Sequence, residues 1–334
     1  MDEARGLAIL LVVVGHVIQY GSHNRFDFFV DPLFATIYSF HMPFFMFLSG
    51  FMAYKSTGSR PPRQLVTSRV RSLLVPFLAW AILGTLAMTA VVTVLGGSSL
   101  DLPTLGGGIA RALLYPESSL WFLWVLFLCY VALALSGLVP AKGRWVALVT
   151  IVIAVYGLPL DELLGITQLK WLLPFFVIGY AIHPWQYKLA RFRIQGTAAA
   201  TLLFVLLRLA WVRTDSVYLN RMRPELDLLA TGAAYGYRYL LALTGSIALI
   251  GIVSTMSPHF NLLILRELGK KSLGVYAFQT YFVLLLPRLP SPSGWDYSVL
   301  YVPIVSLGVL ASSWLGTILL ERWGPTRVVL LGGR

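Results

Sequence analysis

Ten apolar stretches follow one another along this chain of 334 residues, each close to the length a helix needs to cross a lipid bilayer. Crossing takes about 20 predominantly apolar residues, within a range of about 17–25. The stretches are 4–21, 33–54, 72–96, 119–139, 144–160, 168–184, 196–212, 235–254, 272–287 and 299–321. The bilayer core offers no water to the backbone, so each segment satisfies its own N–H and C=O groups as a helix. The expected fold class is therefore all-α: an integral membrane bundle of about ten transmembrane helices. Composition agrees, since 57% of residues are hydrophobic and only 12% charged, whereas soluble domains carry about 25% charged residues. The 19 Phe, 16 Tyr and 10 Trp exclude a disordered chain, which is poor in aromatics.

Charge sets the expected orientation. Alternate loops fall on opposite sides, and one side collects 17 of the 26 Lys and Arg against four of the 14 Asp and Glu. By the positive-inside bias that side is cytoplasmic, and both termini lie there. The net charge of +12 thus reads as topology. The basic residues form no domain able to hold a duplex, so nucleic acid is not an expected partner. Membrane lipids are. The first apolar run follows Asp2, Glu3 and Arg5, unlike the positive flank of a signal peptide, and reads as a retained first helix. A single cysteine, Cys129, gives no intramolecular disulfide, and no Cys/His cluster has zinc-ligand spacing. The chain reads as one domain, 1–334, whose longest connections are Ser22 to Pro32, Gly97 to Ser118 and Arg213 to Ala234 outside, and Lys55 to Arg71 and Thr255 to Lys271 inside.

Polar side chains at bilayer depth are costly and mark functional sites. In the first helix Arg5 precedes His16 by eleven residues. At about 100° and 1.5 Å per residue the two share a face and stand about 16 Å apart, the Arg at the cytoplasmic surface. In the second helix, which runs the other way, His41 falls at about the same depth, roughly 12 Å below the outer edge. The two histidines are expected to meet. Pro43, two residues on, removes a backbone hydrogen bond and kinks that helix. A lone membrane histidine serves equally well as an interhelical hydrogen-bond partner. Two at one depth, one of them aligned with an Arg, favour catalysis, and imidazole suits general-base work near neutral pH.

Arg69 and Arg71 open the third helix. Alone they read as snorkelling headgroup anchors; with Arg5 they form a cationic mouth suited to phosphates. Lys270 and Lys271 lie on the same side. Trp121, at the outer start of the fourth helix, is an interfacial anchor or a substrate contact, and Arg208 is either snorkelling or a substrate contact. Ser272, Tyr276 and Gln279 read as interhelical hydrogen-bond groups of the ninth helix. His23, His183 and His259 read as interfacial.

The motifs resemble those of the membrane-bound acyltransferase 3 family of bacterial integral membrane O-acyltransferases. Arg5 and His16 reproduce its Arg, ten residues, His hallmark, preceded by Asp2. Phe40-His41-Met42-Pro43-Phe44-Phe45 through Ser49-Gly50-Phe51 is similar to its second-helix signature. Arg69 to Phe77, Trp121-Phe122-Leu123, Pro174 to Tyr180 and Leu268 to Tyr276 match later motifs in order. Arg69 and Arg71 are spaced by one residue where many relatives have two, and Gln279 stands where relatives often place a His.

The resemblance implies transfer of an acyl group, usually acetyl from acetyl-CoA or another acyl-CoA, to a hydroxyl of a carbohydrate or lipid-linked glycan, in the cell inner (plasma) membrane. It implies His16 as base or acyl carrier and His41 as its helper. Arg5, Arg69 and Arg71 would hold the donor, and Trp121, Ser49 and Arg208 would meet the acceptor, with no metal. The alternative is a transporter or flippase of lipid-linked sugars without acyl transfer, against which stands the lack of paired broken helices in two matching halves.

Overall fold

The computed structural model describes residues 1–22, 28, 31–57, 60–96, 102–116, 120–160, 163–210, 228–292 and 294–333. Among them the chain is helical and contains no strand. Five helical segments are long and apolar enough to cross a membrane: Asp2–Gly21, Pro32–Thr57, Pro62–Ala87, Leu229–Met256 and Tyr297–Glu321. Each of the other five expected spans contains a shorter helix, of 12 to 17 residues. The chain divides into two compact units, Met1–Phe51 with Ile178–Leu319 and Met52–Val177 with Leu320–Arg334.

The first unit is organised around α1 (Asp2–Gly21). Ile9, Val12, Val13, Val17 and Ile18 are each at most 2% exposed and fall on most sides of the helix, the pattern of a helix surrounded by others. They pack with Phe34, Ile37 and Tyr38 from α2 (Pro32–Tyr38), with Leu268 from α13 (Leu263–Lys270), with Val275 and Val283 from α14 (Ser272–Val283), and with Val309 from α15 (Val302–Glu321). Lipid is as apolar as these side chains, so close van der Waals contact and interhelical hydrogen bonds bind the helices, with little help from water exclusion. Tyr297 supplies one such bond, its hydroxyl donating to the Ile18 carbonyl at 2.8 Å.

Two glycines permit the tightest crossing. A methyl group on Gly6 would collide with the Leu265 carbonyl of α13, and one on Gly269 with the Asp2 carbonyl of α1. Each backbone lies where the other's side chain would be. The ion pair of Glu3 with Arg266, 2.8 Å, closes the same crossing. Sequence reading left 255–271 as a loop; α13 is too short and too charged in its middle to signal itself, and its contact with α1 holds it helical.

The second expected span is broken before its proline. Asp31 caps α2, its side chain accepting from the Phe34 amide at 2.8 Å, with Pro32 pre-set for the first turn. The helix stops at Ser39 and Phe40 and resumes as α3 (His41–Thr57). Pro43 lacks an N–H and its ring crowds the carbonyl four residues earlier, so the interruption falls at 39–40. His41 repairs it: its Nδ1 lies 2.9 Å from the Ile37 carbonyl.

The second unit contains α4 (Pro62–Arg69), a wider π turn over Val70–Leu74, α5 (Val75–Gly96), α6 (Leu102–Leu114), α7 (Trp121–Ser136) and α8 (Arg144–Tyr156), with the first part of α9 (Ile166–Ile182). Helix α6 corrects the expected outer loop of Gly97 to Ser118. Three successive glycines, each costing about 1 kcal/mol relative to Ala in a helix, mask it in the sequence. Packing stabilises it, because a side chain on Gly108 would strike Thr85 of α5.

In the first unit α10 (Gln186–Ala190), α11 (Arg193–Leu209) and α12 (Leu228–Met256) complete the set. The C-terminal α16 (Gly324–Leu331) belongs to the second unit, where the Trp80 indole of α5 donates to the Leu330 carbonyl at 3.0 Å. Trp80→Phe keeps the ring's packing and deletes this buried bond. It should lower stability by about 1 kcal/mol, read as a lower midpoint of thermal unfolding in detergent; an unchanged midpoint would show that α16 docks without it.

Candidate active site

His16 lies in α1 four turns from its start, and unlike its apolar neighbours Val13 and Val17 it retains some accessible surface. Its Nδ1 is 3.0 Å from Oε1 of Gln279 on α14. The Tyr20 ring, one turn further along, meets the imidazole edge-on at 6.2 Å. His41 is only 3% exposed, and its ring leans on Tyr38 at 4.5 Å. The ring of Tyr38 in turn lies against Gly15, the residue before His16. Tyr38 thus links the surroundings of the two imidazoles, but each makes its Nδ1 hydrogen bond elsewhere. They are neighbours and not a hydrogen-bonded pair.

Arg5 stands at the start of the same helix, where its guanidinium meets Asp2 at 3.2 Å. Lys270 is paired with Glu267 at 2.7 Å, and this ammonium holds the Glu267 carboxyl below its ordinary range. Acidic partners thus order Arg5, Arg266 and Lys270.

Arg69 and Arg71 belong to the second unit and are unlike each other. Two residues on a helix diverge by about 200°, so only one can turn inward. It is Arg69: its guanidinium lies 4.1 Å from the centre of the Tyr130 ring, a cation–π contact, and donates to Ser56 Oγ at 3.2 Å. Its Nε is buried and has no acceptor among the described residues, and neither has the buried hydroxyl of Ser72 in the π turn. Arg71 is exposed. Uncommitted buried donors fit a phosphate-bearing ligand, since a buried donor left without an acceptor is costly.

The remaining candidates are dispersed. Ser49 is buried within α3, where the backbone of α9 crosses it at Gly179 against Phe47. Trp121 is partly exposed at the first turn of α7, with its ring 6.2 Å from Phe122. Arg208 of α11 donates through Nε to Thr36 Oγ1 at 3.1 Å and approaches the Pro32 carbonyl at 3.4 Å, bracing the start of α2. His183, expected at the interface, is 6% exposed and lies 4.7 Å from the Phe51 ring; His259 is exposed, and His23 lies outside the described residues. Among the described residues no group of His, Cys, Asp and Glu is disposed to hold a metal ion. Sequence reading passed over Arg238, which is 7% exposed in α12; its signal was an ionisable residue inside an expected span.

The family model for the acyltransferase domain of this type matches residues 1–318. The chain belongs to the acyltransferase 3 family. Two curated relatives are both named nodulation protein NolL. The one from Mesorhizobium japonicum is 32% identical over 184 residues, 54% of this chain and 46% of its own length. The one from Sinorhizobium fredii is 26% identical over 322 residues, 92% of this chain and 84% of its own length. The chain thus spans about half the length of the first relative and most of the second. No solved structure matches significantly. The acyltransferase 3 match contains Arg5, His16, His41, Arg69, Arg71 and Gln279 and ends before α16.

Proposed function

We propose that the protein is an integral membrane O-acyltransferase that moves an acyl group, usually acetyl, from cytoplasmic acyl-CoA to a hydroxyl of a carbohydrate or lipid-linked glycan. The observation that carries this reading is a single buried helix bearing a guanidinium at its start and a partly accessible imidazole three turns along. Family membership supplies the reaction class. The bundle of about ten spans has both termini in the cytoplasm, so Arg5 faces the donor side of the plasma membrane, and the acceptor enters from the other.

In this reading Arg5 and Arg69 bind the phosphates of the donor, which supplies an activated thioester. His16 removes the proton of the acceptor hydroxyl as its oxygen bonds to the acyl carbon, and returns that proton to the departing thiolate. His41 assists by holding the break between α2 and α3 beside His16. Trp121 and Ser49 contact the acceptor, and Arg208 keeps the start of α2 in place for it.

The unequal surroundings of the two arginines yield a test. Charge-assisted hydrogen bonds contribute about 1.5–3 kcal/mol, so Arg69→Ala should raise KM for acetyl-CoA about tenfold or more, with Arg71→Ala changing it less than about threefold, as expected for an exposed charge. Equal effects, or a larger one from Arg71, would refute the assignment.

A further inference from the structure

The amide of Gln279 is the most fully enclosed polar group next to the imidazole: the residue is 0% exposed. Its two ends have different partners. Nε2 faces two oxygens, the Tyr276 carbonyl and Thr280 Oγ1, each at 3.4 Å. Oε1 faces His16 Nδ1 at 3.0 Å. Turning the amide over would set its oxygen against the Tyr276 carbonyl, two acceptors with no proton between them. The Thr280 hydroxyl itself donates to that carbonyl, at 3.2 Å, so the orientation is reinforced. With an oxygen opposite Nδ1, the hydrogen of a neutral imidazole sits on Nδ1 and the lone pair on Nε2.

We infer that Gln279 is a positioning residue, which fixes His16 in the Nδ1–H form and aims Nε2 as the base. This rests on the proposed role of His16 and deepens it. Gln279 itself is too enclosed to touch a substrate, while His16 is only partly buried. Helix α14 is closely packed beside this contact: a side chain on Gly274 would collide with Thr317 of α15, and Val275 and Ala277 are fully buried. An amide in this place, unlike a carboxylate, offers no charge to balance the imidazolium formed during transfer. Among the described residues the other groups beside the ring are Tyr20 on α1, Tyr38 on α2 and His41 on α3; the charge of Arg5 lies about 16 Å away along α1, and the Glu3–Arg266 pair stands at the same far end of the helix.

Two measurements on the full chain test this. The first is the pH profile of CoA release from acetyl-CoA, with a methyl hexoside as probe acceptor. In Gln279→Glu the added carboxylate attracts the proton on His16, so the acidic limb of the profile should move upward by about one pH unit or more. Gln279→Leu should lower kcat about tenfold to a hundredfold with KM for acetyl-CoA unchanged, because the outer partner of a working histidine is lost. A merely structural glutamine would leave kcat unchanged in a folded Leu variant; that result, or an acidic limb unmoved in a folded Glu variant, overturns the inference.

The second measurement needs no variant of Gln279 and no acceptor. Nitrogen-15 NMR of histidine-labelled protein, with His16 assigned by its disappearance in His16→Ala, should show Nδ1 carrying the proton and Nε2 bare. The opposite tautomer refutes the positioning role. Full activity of His16→Ala is a different result, and removes the underlying role of His16.

Discussion

His16→Ala should abolish acetyl transfer while the protein remains folded. General-base catalysis contributes about 10²–10⁴-fold, and no neighbouring group can substitute. His41 is 3% exposed, and its Nδ1 is occupied by the Ile37 carbonyl. Tyr20 meets the His16 ring only edge-on. The loss should appear in kcat, with KM for acetyl-CoA nearly unchanged, because the donor's phosphates bind elsewhere. Removing a partly exposed imidazole creates a small space and deletes one hydrogen bond, so unfolding in detergent should shift only modestly. His41→Ala should behave differently. It removes the shorter of the hydrogen bonds to the Ile37 carbonyl and leaves a buried void, so it should lower stability and activity together.

Gly6→Val should have the largest effect on folding. The added carbons meet the Leu265 main chain, and backbone atoms inside two packed helices cannot swing aside as a side-chain tip can. Overpacking commonly costs about 1–3 kcal/mol and occasionally more; here it also pries apart Glu3 and Arg266, 2.8 Å from each other, and displaces Arg5. We expect a loss of about 3 kcal/mol or more, seen as aggregation or a strongly lowered unfolding midpoint in size-exclusion and thermal assays. Gly106→Ala is the matched control: nothing lies within 4 Å of a side chain there, and alanine favours the helix. Equal stability of the two variants would contradict the close crossing of α1 and α13.

The contrast between those glycines shows which parts of the molecule were legible in sequence. Arg5 and His16 are readable because both lie on one helix, and the helical period alone sets their relation. The same holds for Arg69 and Arg71, whose spacing says that they diverge, though only the contacts of Arg69 with Ser56 and Tyr130 show which turns inward. Pro43 announced a break in the second span but not its place, two residues before His41. What stayed hidden depends on partners distant in the chain. Gln279 is 263 residues from His16, and its local pattern shows only a polar residue in an apolar helix. Helix α13 has no strong signal of its own and exists through Gly6. His183 is buried against Phe51, which no window of sequence around it contains.

The central claim is that an acyl group passes from acyl-CoA to a hydroxyl with His16 as base. Its most direct test is purified protein in lipid nanodiscs, given acetyl-CoA labelled in the acetyl carbon and a mixture of methyl hexosides, with free thiol and labelled ester measured together. The account predicts equal amounts of both from the wild type and neither from His16→Ala. Wild-type protein that forms no ester, yet moves a lipid-linked sugar across proteoliposomes without any acyl donor, would contradict it.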